Sequence, residues 1–189
     1  MTYFNTRDIA AIALSAALWG VLNAILSPVF FSMTRLPFLC DLIGFSVLIF
    51  AAWWIRKPGA ITIIGLIATV INFMIVPAGV HFLGFTVASV FFDALASAAM
   101  FGGVFKKTAY TAISMMAIAV SSGALAGYLI GAFFMAAQAM ANWGGVLGWA
   151  GLHAIGGVIG GAIGAFLITA LKNRKLTVNN HPLNNTKSM

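Results

Sequence analysis

The stretch TAYTAISMMAIAVSSGALAGYLIGAFFMAAQAMANWGGVLGWAGLHAIGGVIGGAIGAFLITAL, residues 108–171, contains no Lys, Arg, Asp or Glu. A run of this length without charges cannot form a solvated surface, whereas one membrane-spanning helix needs only about 20 apolar residues. The run is therefore long enough for two spans. Its polar and glycine-rich part, Gln138 together with residues 142–145, predicts the break between them.

A membrane-like composition extends over the whole chain. Of its 189 residues, 62% are hydrophobic and only 7% are charged, and the mean hydropathy is +1.05. A soluble domain carries about 25% charged residues because its surface must be solvated. The first apolar run, residues 9–31, is also too long for the hydrophobic region of a cleaved signal peptide. We therefore predict an all-α membrane protein that keeps its first apolar segment as a span.

The net charge of +7 does not indicate a nucleic-acid partner. It arises from ten Lys and Arg against three acidic residues, and these charges fall at predicted helix ends instead of along one helix face. The single cysteine, Cys40, excludes an intrachain disulfide and a multi-cysteine metal cluster.

Six segments are apolar and long enough to span a bilayer, with five or seven spans as the alternatives. Lys and Arg in short loops stay on the cytoplasmic side, and six spans place every basic residue except Arg35 on one side. We therefore predict a multi-pass plasma-membrane protein with both termini in the cytoplasm. Residues 1–175 form one domain, and residues 176–189 form a disordered cytoplasmic tail. The predicted spans cover residues 8–31, 37–55, 58–76, 81–104, 108–137 and 146–171.

Small residues recur at helical spacing in three of these spans. In a bilayer, helices associate through close backbone packing, which only small side chains permit. The stripes in spans five and six predict tight packing against neighbouring helices, with homodimerisation as the alternative. The stripes are Ala13, Ala17, Gly20 and Ala24 in span one, Gly123, Gly127 and Gly131 in span five, and Gly156, Gly160 and Gly164 beside Gly157 and Gly161 in span six.

The layout resembles that of the substrate-binding S component of energy-coupling factor transporters. The features that carry the resemblance are six predicted spans, cytoplasmic termini and the Ala-x-x-x-Ala pair Ala13 and Ala17 in the first helix. The resemblance covers most of the chain. A shorter stretch, AAWWIRKPGA at residues 51–60, resembles the corresponding loop of the YkoE-like, thiamin-related branch of this superfamily.

The resemblance implies an ECF S-component-like bundle that captures a vitamin, or a vitamin precursor, at its outer face and delivers it inward. In the family, the paired alanines lie against a transmembrane coupling protein that two ATPase subunits drive, so Ala13 and Ala17 would be the docking surface in this chain. The branch implies thiamin or a pyrimidine or thiazole precursor as ligand. This chain contains no glutamate, so any family contact made by a glutamate is absent.

The chain has no phosphate-binding loop of the type G-x-x-x-x-G-K-[ST]. We therefore expect it to bind no ATP and to rely on partner subunits for energy. We expect the chain to have no enzymatic activity and to bind no cofactor. We also expect membrane lipid to surround it.

Polar and aromatic residues concentrate in the outer halves of the predicted spans and in the outer loops. An ionisable group near the centre of a membrane helix costs about 2.5–3.5 kcal/mol, so it needs a function or a partner. The outward bias predicts an external ligand site. The thiamin-related ligand that the resemblance implies would suit an aromatic wall for stacking and one carboxylate, for which Asp41 is the candidate. The candidate binding residues are Asp41, Asn72, His81, Gln138, Asn142, Trp143, Trp149 and His153.

Several of these residues also have a structural interpretation. Asp41 lies six residues after Arg35 and could pair with it. Trp143 and Trp149 are typical of interfacial anchors. His153 is typical of an interhelical hydrogen-bond donor whose partner the sequence does not name.

Three other functions stay open at this point. An intramembrane enzyme would use Asp41 and Asp93 with His81 and His153, but the two aspartates lie at different predicted depths, unlike a dyad that shares one proton. Asp93, near the centre of span four, favours a bond to a neighbouring helix. A transition-metal uptake component would combine Cys40 with the same Asp41 and histidines, yet no pair has metal-ligand spacing, and we predict no metal. A partner-independent channel through the glycine stripes is the main alternative.

Overall fold

A computed structural model of the chain describes residues 3–101, 103 and 108–174. Regular structure within these ranges is entirely helical. The predicted tail, residues 176–189, and the basic residues at 106, 107, 175 and 187 lie outside them. The helices are α1 (Thr6–Thr34), α2 (Phe38–Ile55), α3 (Ala60–Ile75), α4 (Phe82–Phe101), α5 (Thr108–Phe133), α6 (Ala137–Ala141) and α7 (Gly145–Asn173).

Five helices, α1, α2, α4, α5 and α7, are long and apolar enough to cross a bilayer. The chain therefore has the architecture of a multi-pass membrane protein, and the prediction of an all-α membrane bundle is confirmed. Helix α3 is apolar but has only 16 residues. At about 1.5 Å per residue it extends over roughly 24 Å, less than a hydrocarbon core of about 30 Å.

The long uncharged stretch divides close to where its sequence predicts. Helix α5 ends at Phe133, four residues before the predicted end of span five at residue 137. The chain then forms the separate short helix α6. Helix α7 starts after Gly144. Gly144 and Gly145 have φ angles of +77° and +72°, a conformation that glycine adopts without a steric cost. The two glycines therefore set the direction in which α7 re-enters the bundle.

Helix α7 packs most extensively against α5 and α2. One of its glycine rows faces α2, where a Cβ atom on Gly160 would lie 2.7 Å from the backbone oxygen of Asp41. The other row faces α5, where a Cβ atom on Gly157 would lie 2.6 Å from the backbone oxygen of Ala119. These distances leave no room for a side chain. The prediction that the α7 stripe serves intramolecular packing is confirmed.

One end of the bundle holds most of the basic residues that the structure describes, and we call it the basic end. Asn5 and Asp8 cap α1 reciprocally, since each backbone amide donates to the other side chain at 2.9 Å. Lys57, in the α2–α3 loop, donates to Asp8 Oδ2 at 2.6 Å and so ties the start of α1 to that loop. The described basic residues at this end are Arg7, Arg56, Lys57, Lys172 and Arg174, while Arg35 follows α1 at the opposite end.

Candidate functional site

A cavity of about 230 Å³ lies at the end of the bundle opposite the basic end. Helices α1, α2, α3, α4, α5 and α7 all contribute to its wall, each near the end that lies away from Lys57. The wall is largely apolar and aromatic, with a few polar side chains. This combination is typical of small-molecule sites, in which aromatic surfaces hold a ligand and a few polar groups orient it.

Four of the eight predicted binding residues line this cavity: Asn72, His81, Trp149 and His153. Asn72 lies near the end of α3, His81 directly precedes α4, and the other two lie one turn apart on α7. Trp149 is only 2% exposed. It belongs to the cavity wall, so the interpretation of Trp149 as an interfacial anchor is wrong.

Asp41 contacts His153, which lines the cavity. Its carboxylate is completely buried between α2 and α7 and does not line the cavity. Both carboxylate oxygens lie 3.0 Å from His153 Nδ1, with Oδ1 in hydrogen-bond geometry. The alternative pairing with Arg35 is wrong, because Arg35 is exposed after the last turn of α1. His153 therefore has a fixed ring orientation that Asp41 sets.

The other three predicted residues lie away from the cavity lining. Gln138 is on the short helix α6 and Asn142 follows it, and both side chains are exposed. Trp143 is half-buried against the hydrophobic core. The segment between α5 and α6 brings Met135 to the cavity instead. The side chains of Gln138 and Asn142 therefore lie on the surface of the bundle and do not turn towards the cavity.

Sequence reasoning omitted several lining residues from the candidate site. On α1, the hydroxyl of Ser27 donates to Asn23 Oδ1 at 2.9 Å, and both residues line the cavity. Their spacing of four residues in an otherwise apolar run is the signal that would have identified them, because it places both on one helix face. Cys40 lines the cavity from α2.

Aromatic rings surround His153. The ring centroids of Trp149 and Phe85 lie 5.7 Å and 5.5 Å from that of His153, both in edge contact. Phe31 of α1 meets Trp149 edge-on at 6.2 Å. These rings line the cavity and provide surfaces against which a flat ligand can stack.

Two polar atoms of this wall have no hydrogen-bond partner among the described residues. They are Trp149 Nε1 and His153 Nε2, and both are buried. A buried polar group without a partner costs about 1–3 kcal/mol. Both residues line the cavity, so a ligand bound there would lie next to the rings that carry these two nitrogens.

The cavity wall carries no permanent charge. None of the lining residues that the structure describes is a Lys, Arg, Asp or Glu. Burial lowers the pKa of His81, and the nearby His153 lowers it further. His81 is therefore uncharged at pH 7, and an electrically neutral, planar molecule fits this lining best.

Asp93 lies outside the cavity, towards the basic end. Its Oδ2 accepts hydrogen bonds from the backbone amide of Thr62 at 3.0 Å and from the Thr62 hydroxyl at 2.7 Å. That amide is in the first turn of α3, where no intrahelical acceptor is present. Asp93 of α4 therefore caps α3, as the interpretation of a bond to a neighbouring helix predicts.

Within the described part of the chain, no three His, Cys, Asp or Glu side chains form a cluster that could hold a metal ion. Comparisons with protein-family models, with curated proteins and with solved structures give no match to this chain. The functional argument therefore depends on the geometry of the cavity and its surroundings.

Proposed function

We propose that this chain is the high-affinity substrate-binding S component of an energy-coupling factor type importer. It captures a small planar molecule at its outer face: thiamin, a thiamin precursor or another vitamin. The observation that carries the proposal is the aromatic cavity at one end of the bundle, in whose wall Trp149 Nε1 and His153 Nε2 are buried without a partner. Such a wall favours a bound ligand over an empty packing defect, because a packing defect would be lined by apolar groups alone.

The proposed topology has six spans with both termini in the cytoplasm of a plasma-membrane protein. Helix α3 supports the sixth span, because its first turn bonds to Asp93 towards the basic end and its last turn brings Asn72 to the cavity. The loops on either side of α3 supply the length that its 16 residues lack. The concentration of described Lys and Arg residues at the basic end supports a cytoplasmic location for that end and an outer location for the cavity.

Helix α1 offers the surface for the coupling protein. Ala13 is exposed and Ala17 is half-buried, whereas Gly20 and Ala24 of the same stripe are buried. A Cβ atom on Gly20 would lie 2.9 Å from the backbone oxygen of Ala68 in α3. The stripe thus packs internally in its outer half and leaves its cytoplasmic half free. A transmembrane coupling protein, driven by two ATPase subunits, docks there because small side chains admit close backbone contact.

The double substitution Ala13→Leu and Ala17→Leu tests the docking surface. We expect it to abolish uptake and co-purification of the coupling protein while the affinity for the ligand is unchanged, because the cavity is at the other end of the bundle. Ala117→Leu is the matched control, since Ala117 is also exposed but lies on α5. Equal loss of ligand affinity in the double variant would contradict the docking assignment.

A further inference from the structure

We propose that Asp41 and His153 form an electrically neutral pair that fixes His153 Nε2 as a hydrogen-bond donor towards the cavity. Together with Trp149 Nε1, this donor selects ligands that present an acceptor, such as a carbonyl oxygen or an unprotonated ring nitrogen, to the α7 wall. The second part rests on the proposed function, because it requires that the cavity bind a small molecule.

The pair is isolated from water. His153 is 2% exposed and Asp41 is fully buried. The aspartate has no room to turn away, because a Cβ atom on Gly156 would already clash with its carboxylate, and Gly160 lies against its backbone. The Nδ1 to Oδ1 distance of 3.0 Å therefore describes a contact that the packing of α2 on α7 maintains.

The number of protons that Asp41 and His153 share determines whether Nε2 donates or accepts a hydrogen bond. The neutral pair is either aspartate with imidazolium or aspartic acid that donates its proton to Nδ1, and in both arrangements Nε2 carries a proton. A third neutral arrangement, aspartic acid beside an imidazole protonated at Nδ1, would leave the buried acid hydroxyl without an acceptor, because Asp41 Oδ2 has no other partner among the described residues. The pair with a net negative charge, aspartate with imidazole, also leaves Nε2 as an acceptor. An uncompensated charge in a buried site is much less favourable than a neutral pair, so the arrangement with Nε2–H dominates.

Among the described residues, His153 is the partner of the Asp41 carboxylate, and no Lys or Arg pairs with it to stabilise a negative charge. The titratable groups that face the pair are Cys40, next to Asp41 on α2, and His81, which precedes α4 and is uncharged at pH 7. Helix α5 packs against His153 through Gly123 and Gly127, which have no side chain that could carry a charge. No Lys or Arg belongs to the described cavity lining.

Trp149 supplies a second donor of the same kind. An indole nitrogen can donate but cannot accept a hydrogen bond. Residues 149 and 153 are one turn apart and thus share a face of α7, and their rings are in contact. A ligand that presented a donor to this wall would leave both N–H groups unpaired, so the wall discriminates strongly against it.

The protonation state can be measured without any ligand. The full chain, labelled with ¹⁵N-histidine and purified in detergent, would be studied by ¹⁵N–¹H NMR at pH 7, with His153→Gln identifying the His153 signals. We expect the ¹⁵N shift of Nε2 to be that of a protonated imidazole nitrogen. An unprotonated Nε2 would overturn the proposal. In Asp41→Leu we expect the signals to move to those of a mixture of tautomers, and unchanged signals would show that Asp41 does not position the ring.

Acceptor selection is tested with two small rings of similar size. Pyrimidine has two ring-nitrogen acceptors and no donor, and benzene has neither. We expect pyrimidine to shift the Trp149 Nε1–H and His153 Nε2–H signals with at least tenfold higher apparent affinity than benzene. Trp149→Phe should lower the affinity for pyrimidine severalfold, and Trp143→Phe, outside the cavity, should not.

The outcomes separate this proposal from the proposed function. Equal responses to the two rings would overturn acceptor selection while leaving a cavity that binds small molecules. No response to either ring, with Nε2 protonated, would also overturn acceptor selection. Whether the chain serves an importer is decided separately by the Ala13 and Ala17 substitutions.

Discussion

Gly156 lets the carboxylate of Asp41 lie between helices α2 and α7. A methyl group at this position would clash with Asp41 Oδ2, Cβ and Cγ together. The neighbouring side chain cannot yield, because its carboxylate is held by His153. Gly156 in the packing stripe of α7 thus helps to set the orientation of the His153 ring through Asp41.

We predict that Gly156→Ala lowers the free energy of unfolding by about 1–3 kcal/mol, the usual cost of overpacking a core, and also weakens ligand binding. Gly151→Ala is the matched control on the same helix, because a Cβ atom there meets nothing within 4 Å. Thermal unfolding in detergent checks both variants. Equal melting temperatures for the two variants would contradict the packing of Asp41 described above.

His81 gives the stability a pH dependence of known sign. Burial lowers its pKa in the folded chain below the ordinary value of about 6.5, so the unfolded chain binds the proton more readily. Its stabilising contribution is complete above pH 6.5 and decreases as the pH falls towards the lowered pKa. We expect the melting temperature to fall between pH 7 and pH 5, and to fall less in His81→Gln. Parallel pH profiles for the two proteins would contradict this.

The sequence predicted only some of the residues that line the cavity. Hydropathy places residues by depth, and depth correctly grouped Asn72, His81, Trp149 and His153. Depth does not give the rotation of each helix. The Asp41–His153 contact joins residues 112 positions apart and depends on the facing rows of α2 and α7, so it could not be read from the sequence.

Helix α3 begins with a cap that another helix supplies. Gly59 precedes it with φ +86°, and no side chain of its own loop caps it. The Asp93 carboxylate of α4 fulfils this role by accepting from the amide and the hydroxyl of Thr62. Asp93 therefore fixes α3 against α4 at the end remote from the cavity.

We predict that Asp93→Ala lowers the free energy of unfolding by about 1–3 kcal/mol, because it leaves the part-buried amide and hydroxyl of Thr62 unpaired. Ser97→Ala is the control, since the Ser97 hydroxyl is 3.5 Å from Asp93 Oδ1 and contributes little. Chemical unfolding and ligand binding would be measured on both. Loss of binding with unchanged stability in Asp93→Ala would instead assign Asp93 to the site.

Helix positions were largely predictable because apolar run length and charge position determine them. The break in the uncharged stretch was found from Gly144 and Gly145, whose positive φ angles the sequence suggests through residue type alone. The short helix α6 was not predicted. Its five residues have no apolar period of their own, and its surface position removed Gln138 from the predicted site.

The two ends of the described bundle differ in their side chains. Lys and Arg gather at the basic end, where Lys57 joins α1 to the α2–α3 loop, and the aromatic cavity lies at the other end. Between them, helices approach closely through glycine, as the contacts of Gly157 and Gly160 illustrate. In our proposal, such a bundle binds its ligand at one end and docks to its partners near the other.

The proposed function requires that the cavity hold one small molecule. Native mass spectrometry of the detergent-purified chain would show whether a small molecule is carried through purification. Denaturing release would then identify it. We predict one stoichiometric, planar molecule with a hydrogen-bond acceptor in the wild type, and its loss in His153→Leu. An empty wild-type protein that also shows no thermal shift with a panel of vitamins would contradict the claim and favour a partner-independent channel.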